Sequence, residues 1–527
     1  MFLSDIMDIS TFTNIVRQYG KKIMLLSGVG SGKSTWVKSV LAEDGNVLFI
    51  TSRRAKVDED VNNSDFQNYI DNDVVFNSHQ TLITNAKICS LVQNIVLDAR
   101  YSLDDFLSNY KYVVIDEVHS IGADSSFAES AFGLLSFMEY AVEYAKRKNL
   151  VVITMTGTPE SVYSYFREKK WHIIDLRDKC NYVHPKAIYT IKKDYVYTEI
   201  KKSLKQNNKV IYFVNHASYM PYVCKEVLEL DLVSAEEIAL VMSDNREKEI
   251  LSDCIMEVGN ENAIEIFGNS KDVYESIVNN QYIPLNCSIL ISTSKLKEGI
   301  DIHNPNVTVI CESHVLSDIV QFCGRVRVGN GIVYIVSDAK QHPVNPNQLL
   351  FDYARYECTS ANQYLCKKQL DFTNGKERLI MHVCKNPYIY YDYITNKFTV
   401  FNIKYLEEMR LRKCHENWEE RLFDYCKKYS ISATVKLSHE KRIEILTDVL
   451  NKYLEAELYG EKREQLIDMI QSLLDISQRN RKKQISKINT LLEQNGLFFY
   501  FVSIKGTKVK DGNRDKTYWV VKEREGK

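Results

Sequence analysis

The sequence predicts an α/β protein in which two parallel sheets are followed by a mainly helical region. Short apolar runs alternate with stretches of helical periodicity between Lys22 and about Asp338. The runs are continuous rather than alternating, as expected of parallel strands that are buried on both faces. After about Gln341 this pattern stops, and turn residues and helical patterns replace it.

The candidate strands of the first 340 residues are enough for two sheets. Strands that alternate with helices predict layered α/β domains with right-handed crossovers. We place the break between about Arg177 and Lys193, where charged and polar residues dominate, which gives domains over residues 1–184 and 185–341. The candidate strands are Ile23–Ser27, Val47–Thr51, Tyr112–Asp116, Val151–Thr154, Val210–Val214, Ser288–Thr293, Val307–Cys311 and Gly331–Val336.

The remainder is predicted to form an accessory region, residues 342–437, and a terminal module, residues 438–527. A hairpin is expected over Tyr388–Phe401, with its turn at Thr395-Asn396. Two short strands, Leu497–Ile504 and Lys516–Lys522, are expected after the last helix, and this order of helices and a basic hairpin resembles a winged-helix module. The candidate helices are Ile403–Tyr429, His439–Tyr459, Lys462–Ile476 and Lys482–Gln494, the last ending at Asn495-Gly496.

Composition excludes several classes of protein. The 527 residues carry 68 Lys and Arg against 69 Asp and Glu, and 45% of them are hydrophobic. The chain is therefore neither largely disordered nor a uniformly basic coat protein. From Arg479 to Lys527, thirteen Lys and Arg face five Asp and Glu, a net charge of +8 that leaves −9 on the rest. A basic end on an acidic chain is as typical of a polyanion-binding tail as of a solvated surface.

Cysteines and apolar runs indicate the cellular setting. The twelve cysteines include no CxxC pair, so the sequence predicts no structural zinc site. No apolar run approaches the roughly 20 residues that a membrane-spanning helix needs. The segment Met1–Ser10 lacks the features of a signal peptide. We therefore expect a cytoplasmic protein with reduced thiols.

A glycine-rich loop over residues 27–35 reads Ser-Gly-Val-Gly-Ser-Gly-Lys-Ser-Thr. It lies between a strand-like run and a helical pattern, where backbone N–H groups and a helix N-terminus can bind phosphate oxygens. Lys33 is expected to reach the β- and γ-phosphates and Ser34 to bind Mg²⁺. Ser27 replaces the glycine that begins the usual motif. The nucleotide-binding candidates are Gly28, Gly30, Ser31, Gly32, Lys33, Ser34 and Thr35.

A second candidate element, Asp116-Glu117, comes at the end of a strand-like run and precedes Val118-His119. A carboxylate at this end of a strand, beside a phosphate loop, suits a second Mg²⁺ contact, which we assign to Asp116. Glu117 is then placed to orient or deprotonate an attacking water. The sequence thus predicts hydrolysis of ATP with Mg²⁺ held by Ser34 and Asp116.

Together, the loop and the Asp-Glu-Val-His box resemble the nucleotide site of superfamily 2 helicases of the DExH type. Further motifs of that superfamily follow in order, so the resemblance covers about residues 20–340. Thr156-Gly157-Thr158 is similar to the Ser/Thr-Ala-Thr motif, Ser292–Asp301 to T-x-x-x-x-G-[IV]-D, and Gln321–Arg327 to Q-x-x-G-R-x-R. The Gly-Arg-Val-Arg variant and Ser52-Arg53-Arg54 are nearest in style to herpesvirus-type origin-binding helicases and their phage and mobile-element relatives.

The resemblance implies two RecA-like lobes that face each other across a cleft and share one ATP. Many members have the second arginine three places after the first, where this chain has Val328, so whether Arg327 acts as a second finger is open. The implied catalytic residues are Glu117 in lobe 1 and Gln321, Arg325 and Arg327 in lobe 2. Gly299 and Asp301 are implied to lie near the ribose and the hinge. His119, Thr156, Thr158 and Thr293 are implied to couple ATP state to nucleic acid.

Candidate nucleic-acid contacts are basic residues in three places, each of which could equally be a solvated charge. They are Arg53, Arg54 and Lys56 in lobe 1, Lys295 and Lys297 in lobe 2, and Lys482 and Lys483 at the start of the last helix. Tyr388, Tyr390, Tyr391 and Tyr393 crowd one predicted strand. They suit base stacking, but a simple strand preference is the better interpretation. A protein partner is the main alternative for the C-terminal region.

The leading hypothesis is a helicase or translocase that couples ATP hydrolysis to movement on nucleic acid, with DNA preferred over RNA because of the basic terminal module. A second hypothesis is an ATP-gated clamp or recruitment protein that hydrolyses slowly and unwinds nothing. A third, an unrelated phosphate-loop enzyme such as a transporter ATPase or a kinase, leaves the second-lobe motifs unexplained.

Overall fold

The computed structural model describes residues 2–28, 30–52, 67–68, 80–97, 102–125, 129–180, 184–243, 246–293, 296, 301–325, 331–368, 379–380, 382–434, 439–474, 476, 484–505 and 517–524. The chain divides into two compact units, Met1–Val435 and Lys436–Lys527. The first unit contains two parallel sheets, which we call lobe 1 and lobe 2 together with the helices that cover them. Among the described residues, no helix is long and apolar enough to cross a membrane.

The strands of lobe 1 are β1 (Lys22–Leu26), β2 (Val47–Thr51), β3 (Gln67–Asn68), β4 (Gln80–Thr84), β5 (Tyr112–Ile115), β6 (Val151–Thr156) and β7 (His172–Asp175). They pair in parallel in the order β3-β4-β2-β5-β6-β1-β7. Every residue of β2 and β6 is buried, which explains their continuous apolar sequences.

The helices of lobe 1 cover both faces of this sheet. In β1, Met24 and Leu26 belong to one hydrophobic cluster, and Ile23 and Leu25 belong to another. This alternation follows from the two-residue period of a strand. A π-helical segment, Val37–Leu41, joins the third helix to the fourth. The helices are α1 (Leu3–Ile6), α2 (Ile9–Tyr19), α3 (Lys33–Trp36), α4 (Ala42–Asp44), α5 (Asn85–Leu97), α6 (Leu103–Ser108), α7 (Ser120–Ala123), α8 (Glu129–Arg147) and α9 (Tyr163–Glu168).

Lobe 2 repeats this architecture. Its strands are β8 (Ala187–Ile191), β9 (Lys209–Phe213), β10 (Ile238–Val241), β11 (Ile289–Ser292), β12 (Val307–Cys311) and β13 (Ile332–Val336). They pair in parallel in the order β10-β11-β9-β12-β13-β8. The helices are α10 (Val196–Lys205), α11 (Met220–Glu229), α12 (Glu247–Val258), α13 (Asn260–Asn280) and α14 (Leu316–Arg325). The predicted pair of parallel sheets, and with it the expectation of tandem RecA-like lobes, is therefore confirmed.

The segment predicted as a polar break, Arg177–Lys193, contains a strand that the sequence did not indicate. Strand β8 lies inside it and pairs with β13. Only Ala187 and Ile188 of its five residues are buried, and Lys186, Lys192 and Lys193 flank it. A short strand with one buried pair and charged neighbours therefore has the composition of a loop.

The accessory region adds helices, a hairpin and one further strand. These elements are α15 (Gln348–Lys368), β14 (Ile389–Asp392), β15 (Lys397–Val400), α16 (Asn402–Glu416), α17 (Trp418–Lys428) and β16 (Ser432–Thr434). The predicted hairpin is confirmed, and Asn396 in its turn has φ +57°. The single helix expected over Ile403–Tyr429 is wrong, because the chain breaks at Asn417, whose φ of −126° lies outside the helical range. Strand β16 extends the lobe 2 sheet by pairing with β8.

The terminal unit contains helices followed by a two-stranded hairpin, the order that the sequence predicted. Its elements are α18 (His439–Lys452), α19 (Gly460–Leu473), α20 (Ile485–Gln494), β17 (Phe499–Lys505) and β18 (Thr517–Glu523). The stretch between α18 and α19 bridges to β18 at Leu454 and Leu458. The side-chain amide of Asn489 bonds both the N–H and the C=O of Phe501, at 2.7 and 2.9 Å, and so fastens α20 to the hairpin.

Candidate active site

Three sequence motifs meet at one edge of the lobe 1 sheet. The phosphate loop follows β1, the Asp-Glu-Val-His box follows β5, and Thr156-Gly157-Thr158 ends β6. These strands are neighbours in the order β5-β6-β1, and all three run parallel. Their carboxyl ends therefore lie side by side, which is where open α/β sheets bind ligands.

The conformation of the phosphate loop depends on two glycines with positive φ and on a hydrogen bond between two serine hydroxyls. Gly30 and Gly32 have φ of +82° and +80°, in the region that favours glycine. Ser27, which replaces the motif's first glycine, is fully buried, and its Oγ lies 3.0 Å from the Oγ of Ser31. The departure from the motif is thus accommodated by a hydrogen bond across the loop. Thr35 follows Ser34 in the first turn of α3.

The ammonium group of Lys33 carries a buried positive charge at the centre of this loop. The residue is 8% exposed, and its Nζ donates to the backbone oxygens of Ser27 and Gly28 at 3.3 and 3.2 Å. Among the described residues, Lys33 forms no ion pair. A buried cation that is compensated only by carbonyl oxygens fits an anion such as a phosphate.

The carboxylates of Asp116 and Glu117 are both buried at the end of β5. The N–H of Asp116 donates to the C=O of Ile50 at 2.8 Å, which continues the sheet by one residue. Glu117 then has φ of +49°, a conformation that costs a non-glycine residue energy and that recurs at functional sites. The oxygen ligands that Ser34 and Asp116 offer are of the type that Mg²⁺ prefers.

Hydrogen bonds join the acidic box, the third motif and lobe 2. His119 Nδ1 lies 3.3 Å from Glu117 Oε2 and 2.9 Å from Thr156 Oγ1. Thr156 Oγ1 also accepts from the N–H of Thr158, at 3.1 Å. The Thr158 hydroxyl in turn accepts from Nε2 of Gln321, on α14 of lobe 2, at 3.0 Å. All five side chains are buried, so a polar path runs from Glu117 to the other lobe; its first step is the close Glu117–His119 contact, and its later steps are hydrogen bonds.

On the lobe 2 side, Thr293 lines a cavity of about 450 Å³ together with Asn215 and Phe213. The sequence did not indicate the network that shapes this wall. Buried Glu312 accepts from the Tyr212 hydroxyl at 2.9 Å and from the N–H of Asn215 at 3.0 Å. Burial raises the pKa of Glu312, and these two hydrogen bonds counteract the rise. The carboxyl group therefore holds the ends of β9 and β12 together.

Nine candidate residues lie outside the described part of the chain: Arg53, Arg54, Lys56, Lys295, Lys297, Gly299, Arg327, Lys482 and Lys483. For Arg325 the structure describes the backbone, which ends α14 one turn after Gln321. Asp301 is half-buried and comes just before Ile302.

The hairpin tyrosines are packing residues. Tyr388 and Tyr391 are buried in the accessory region, and Tyr390 stacks on Phe132 of lobe 1 with ring centroids 5.0 Å apart. This agrees with the strand-preference interpretation and removes these two buried rings as platforms for bases.

Comparison with known proteins shows what the first lobe is similar to. The family model for DEAD/DEAH box helicases matches residues 9–165. No curated protein matches the chain. Among solved structures, DEAD-box helicase Mss116 bound to ssRNA and UDP-BeF is similar at 11% identity, with 72% of this chain and 84% of that chain covered and a TM-score of 0.43. S. cerevisiae Dbp5 bound to RNA and ADP BeF3 is similar at 14% identity, with 61% of this chain and 81% of that chain covered and a TM-score of 0.37. DUF1998 helicase MrfA bound to DNA is similar at 14% identity, with 74% of this chain and 60% of that chain covered and a TM-score of 0.37.

The matched segment contains the phosphate loop, the acidic box and the third motif in the geometry described above. Lobe 2 contributes Gln321 to the same buried path, from a segment that resembles the superfamily's Q-x-x-G-R-x-R motif. Residues 9–165, which carry these three motifs, match the model for DEAD/DEAH box helicases, so the first lobe is similar to that family.

Proposed function

We propose that this protein is a translocase or helicase that moves on DNA, driven by hydrolysis of Mg·ATP between its two lobes. The observation that carries the proposal is the buried path from Glu117 through His119, Thr156 and Thr158 to Gln321. It connects the residue placed to activate water with the lobe that must move when ATP is bound or lost. Such a connection is what a motor needs and what a simple ATP hydrolase does not.

Within this proposal each residue has one task. Lys33 exchanges its bonds to the carbonyls of Ser27 and Gly28 for phosphate oxygens. Ser34 and Asp116 hold Mg²⁺, which neutralises charge on the phosphates when bound. Glu117 orients or deprotonates the attacking water. Arg325, with Arg327 as the second candidate, neutralises the charge that develops on the γ-phosphate from the lobe 2 side.

We favour DNA over RNA as the substrate because of the charge and the element order of the terminal unit. Its sequence from Arg479 onward carries a net charge of +8, and its element order is that of a winged helix, a frequent DNA-binding module. Phosphate contacts of this kind supply affinity without sequence information. A protein partner that presents an acidic surface is the alternative for this unit.

The test is ATP hydrolysis by the full chain, alone and with single-stranded DNA, duplex DNA or RNA, followed by strand displacement on a tailed duplex. We expect DNA to raise the rate most and the duplex to be opened only with ATP. The Lys33→Ala variant should show no hydrolysis above background, which excludes a contaminating ATPase. Stimulation by RNA alone would reassign the substrate. Hydrolysis that no nucleic acid alters would contradict the motor, and stimulation without strand displacement would favour the clamp.

The path itself predicts the behaviour of Thr158→Val. The substitution keeps the shape of the side chain and removes the acceptor of the Gln321 amide. A buried donor without an acceptor costs about 1–3 kcal/mol, and this cost falls on the state in which the lobes meet. We expect stimulation by nucleic acid to fall about 5- to 100-fold, within the usual range of coupling energies, as measured by steady-state ATPase assays with and without DNA.

A matched control lies on the same strand. Thr154 is fully buried in β6, and among the described residues its hydroxyl has no hydrogen-bond partner. Thr154→Val makes the same chemical change without touching the path, so its stimulation should equal that of the wild type. Equal behaviour of the two variants would show that the Thr158 hydroxyl does not couple the lobes.

A further inference from the structure

One segment of the accessory region, residues 401–434, is built into both lobes, and we call it the brace. It contains α16, α17 and β16. At its start, Phe401 and Ile403 belong to the hydrophobic core of lobe 1. At its end, β16 is the outermost strand of the lobe 2 sheet and pairs with β8 in parallel. The brace is therefore a third covalent connection between the lobes, besides the chain between β7 and β8 and the chain from β13 to Phe401.

The first helix of the brace lies directly behind the hydrolysis motifs of lobe 1. Helix α16 packs against α7, which follows the acidic box, and against the 3-10 turn Pro159–Ser161, which follows Thr158. Helix α7 and the 3-10 turn are in close contact with each other. A Cβ on Gly122 of α7 would come within 2.6 Å of the Ser161 Cβ and 2.7 Å of the Ser161 carbonyl oxygen. The Ser161 hydroxyl also donates to the C=O of His119, at 2.8 Å. A shift of α16 would therefore displace α7 and the 3-10 turn, and with them the acidic box and Thr158, which these two elements follow.

A buried ion pair marks this contact. Glu407 is 1% exposed, and its two carboxylate oxygens accept from Arg410 Nε and Nη2, each at 2.6 Å. Burial lowers the pKa of Arg410, but the hydrogen bonds and charge of Glu407 outweigh it, and Glu160 in the 3-10 turn adds to the rise. Glu407 and Arg410 also line the cavity that contains Asp124 and Thr293. The pair therefore faces both lobes.

The second helix of the brace is part of lobe 2. Trp418 stacks on His314 with ring centroids 4.2 Å apart, and Leu422, Tyr425 and Cys426 belong to a lobe 2 core cluster. Helix α17 also packs against α14, the helix that carries Gln321 and Arg325. The brace thus contacts α7 and the turn Pro159–Ser161 in lobe 1. It also contacts α14 in lobe 2, whose Gln321 bonds to Thr158.

The two helices meet at Asn417, where the helical conformation is interrupted. Next to this break, the thiol of Cys414 accepts from Nη1 of Arg410 at 3.5 Å and from Nη1 of Arg421 at 2.8 Å, so it connects one helix to the other. A rigid body at each end with an interrupted helix between them is the arrangement of a hinge.

We propose that the brace is a coupling element: closure of the lobes on ATP bends the chain at Glu416–Trp418, and the Glu407–Arg410 pair transmits that bend to the motifs after β5 and β6. This inference rests on the proposed function, since it needs lobes that move with ATP state. Glu407 and Arg410 are positioning residues, because they act on Glu117 and Thr158 through α7 and the turn Pro159–Ser161.

Two measurements on the full chain test the brace. The first is backbone hydrogen exchange over residues 412–422 of the wild type, with and without ADP and beryllium fluoride. We expect the exchange rates of this segment to change when the nucleotide analogue binds. The second is ATP hydrolysis by the double variant Glu407→Gln/Arg410→Met, which keeps the volume of the pair and removes both charges. We expect basal hydrolysis within about twofold of wild type and a loss of DNA stimulation of about fivefold or more.

The matched control is the double variant Glu143→Gln/Lys146→Met. It removes an exposed ion pair from α8 of lobe 1, with side chains 64% and 62% exposed, and should leave stimulation unchanged. The inference is overturned if Glu407→Gln/Arg410→Met keeps full stimulation by DNA. It is also overturned if hydrogen exchange over residues 412–422 does not change when the nucleotide analogue binds. If the wild type shows no response to nucleic acid, the proposed function fails and the exchange measurement decides on the brace alone. The same measurement decides if the buried-pair variant proves unfolded by circular dichroism.

Discussion

Replacing Arg325 by alanine should lower the kcat of ATP hydrolysis by about 10³–10⁵, the range found for arginine fingers. Position 325 is one helical turn beyond Gln321 on α14, and residues four apart in a helix are neighbours on one face. Gln321 already reaches lobe 1, since its amide donates to Thr158. The backbone of position 325 therefore lies on the same face of α14 as Gln321.

Steady-state and single-turnover hydrolysis at saturating ATP measure this effect. Arg325→Lys should recover only part of the rate, because a lysine supplies the charge without the planar fork of a guanidinium. The control is Arg246→Ala, which removes an exposed lobe 2 arginine that pairs with Glu249. Arg327→Ala is measured beside it. A larger loss in Arg327→Ala than in Arg325→Ala would transfer the finger role to Arg327.

Replacing Glu117 by glutamine should lower kcat by about 10²–10⁴, the usual contribution of a general base, and leave ATP binding intact. The amide keeps the size of the side chain and its contact with His119, but it cannot take a proton from water. The groups expected to hold the nucleotide, Lys33, Ser34 and Asp116, are unchanged. Binding of a fluorescent ATP analogue and the hydrolysis rate, measured on the same sample, separate the two effects.

Glu168→Gln is a suitable control for Glu117→Gln, since Glu168 is an exposed carboxylate at the end of α9 in the same lobe. It should behave like the wild type in both assays. A parallel loss of binding and hydrolysis in Glu117→Gln would indicate that Glu117 holds the site together rather than activating water. An unchanged rate would remove it from the chemistry.

The strands of both sheets could be predicted where burial on two faces leaves a continuous apolar sequence, as in Val47–Thr51 and Val307–Cys311. The phosphate loop and the acidic box could be placed because their residue types and their position after a strand are set locally. His119 and Thr156 could be named as coupling candidates from the resemblance, but their contact depends on the adjacency of β5 and β6, which the sequence did not predict.

Features that depend on distant partners could not be predicted. Strand β16 has three residues, and its strand conformation depends on pairing with β8. The break at Asn417 separates a helix that packs on lobe 1 from one that packs on lobe 2, and nothing in the local sequence marks it. The bond from Gln321 to Thr158 is likewise a contact between lobes, and no pattern within either segment specifies it.

Strand β16 also has a consequence for how the protein is made. Its partner β8 can join the sheet once β13 has been synthesised, but its other side stays unpaired until residues 432–434 follow. During that interval the emerging polypeptide presents an unpaired sheet edge, the type of surface that recruits other strands and aggregates. A chain that lacks residues 432–434 leaves β8 as the outermost strand of the lobe 2 sheet. We therefore expect a chain truncated before residue 432 to aggregate more readily than the full chain.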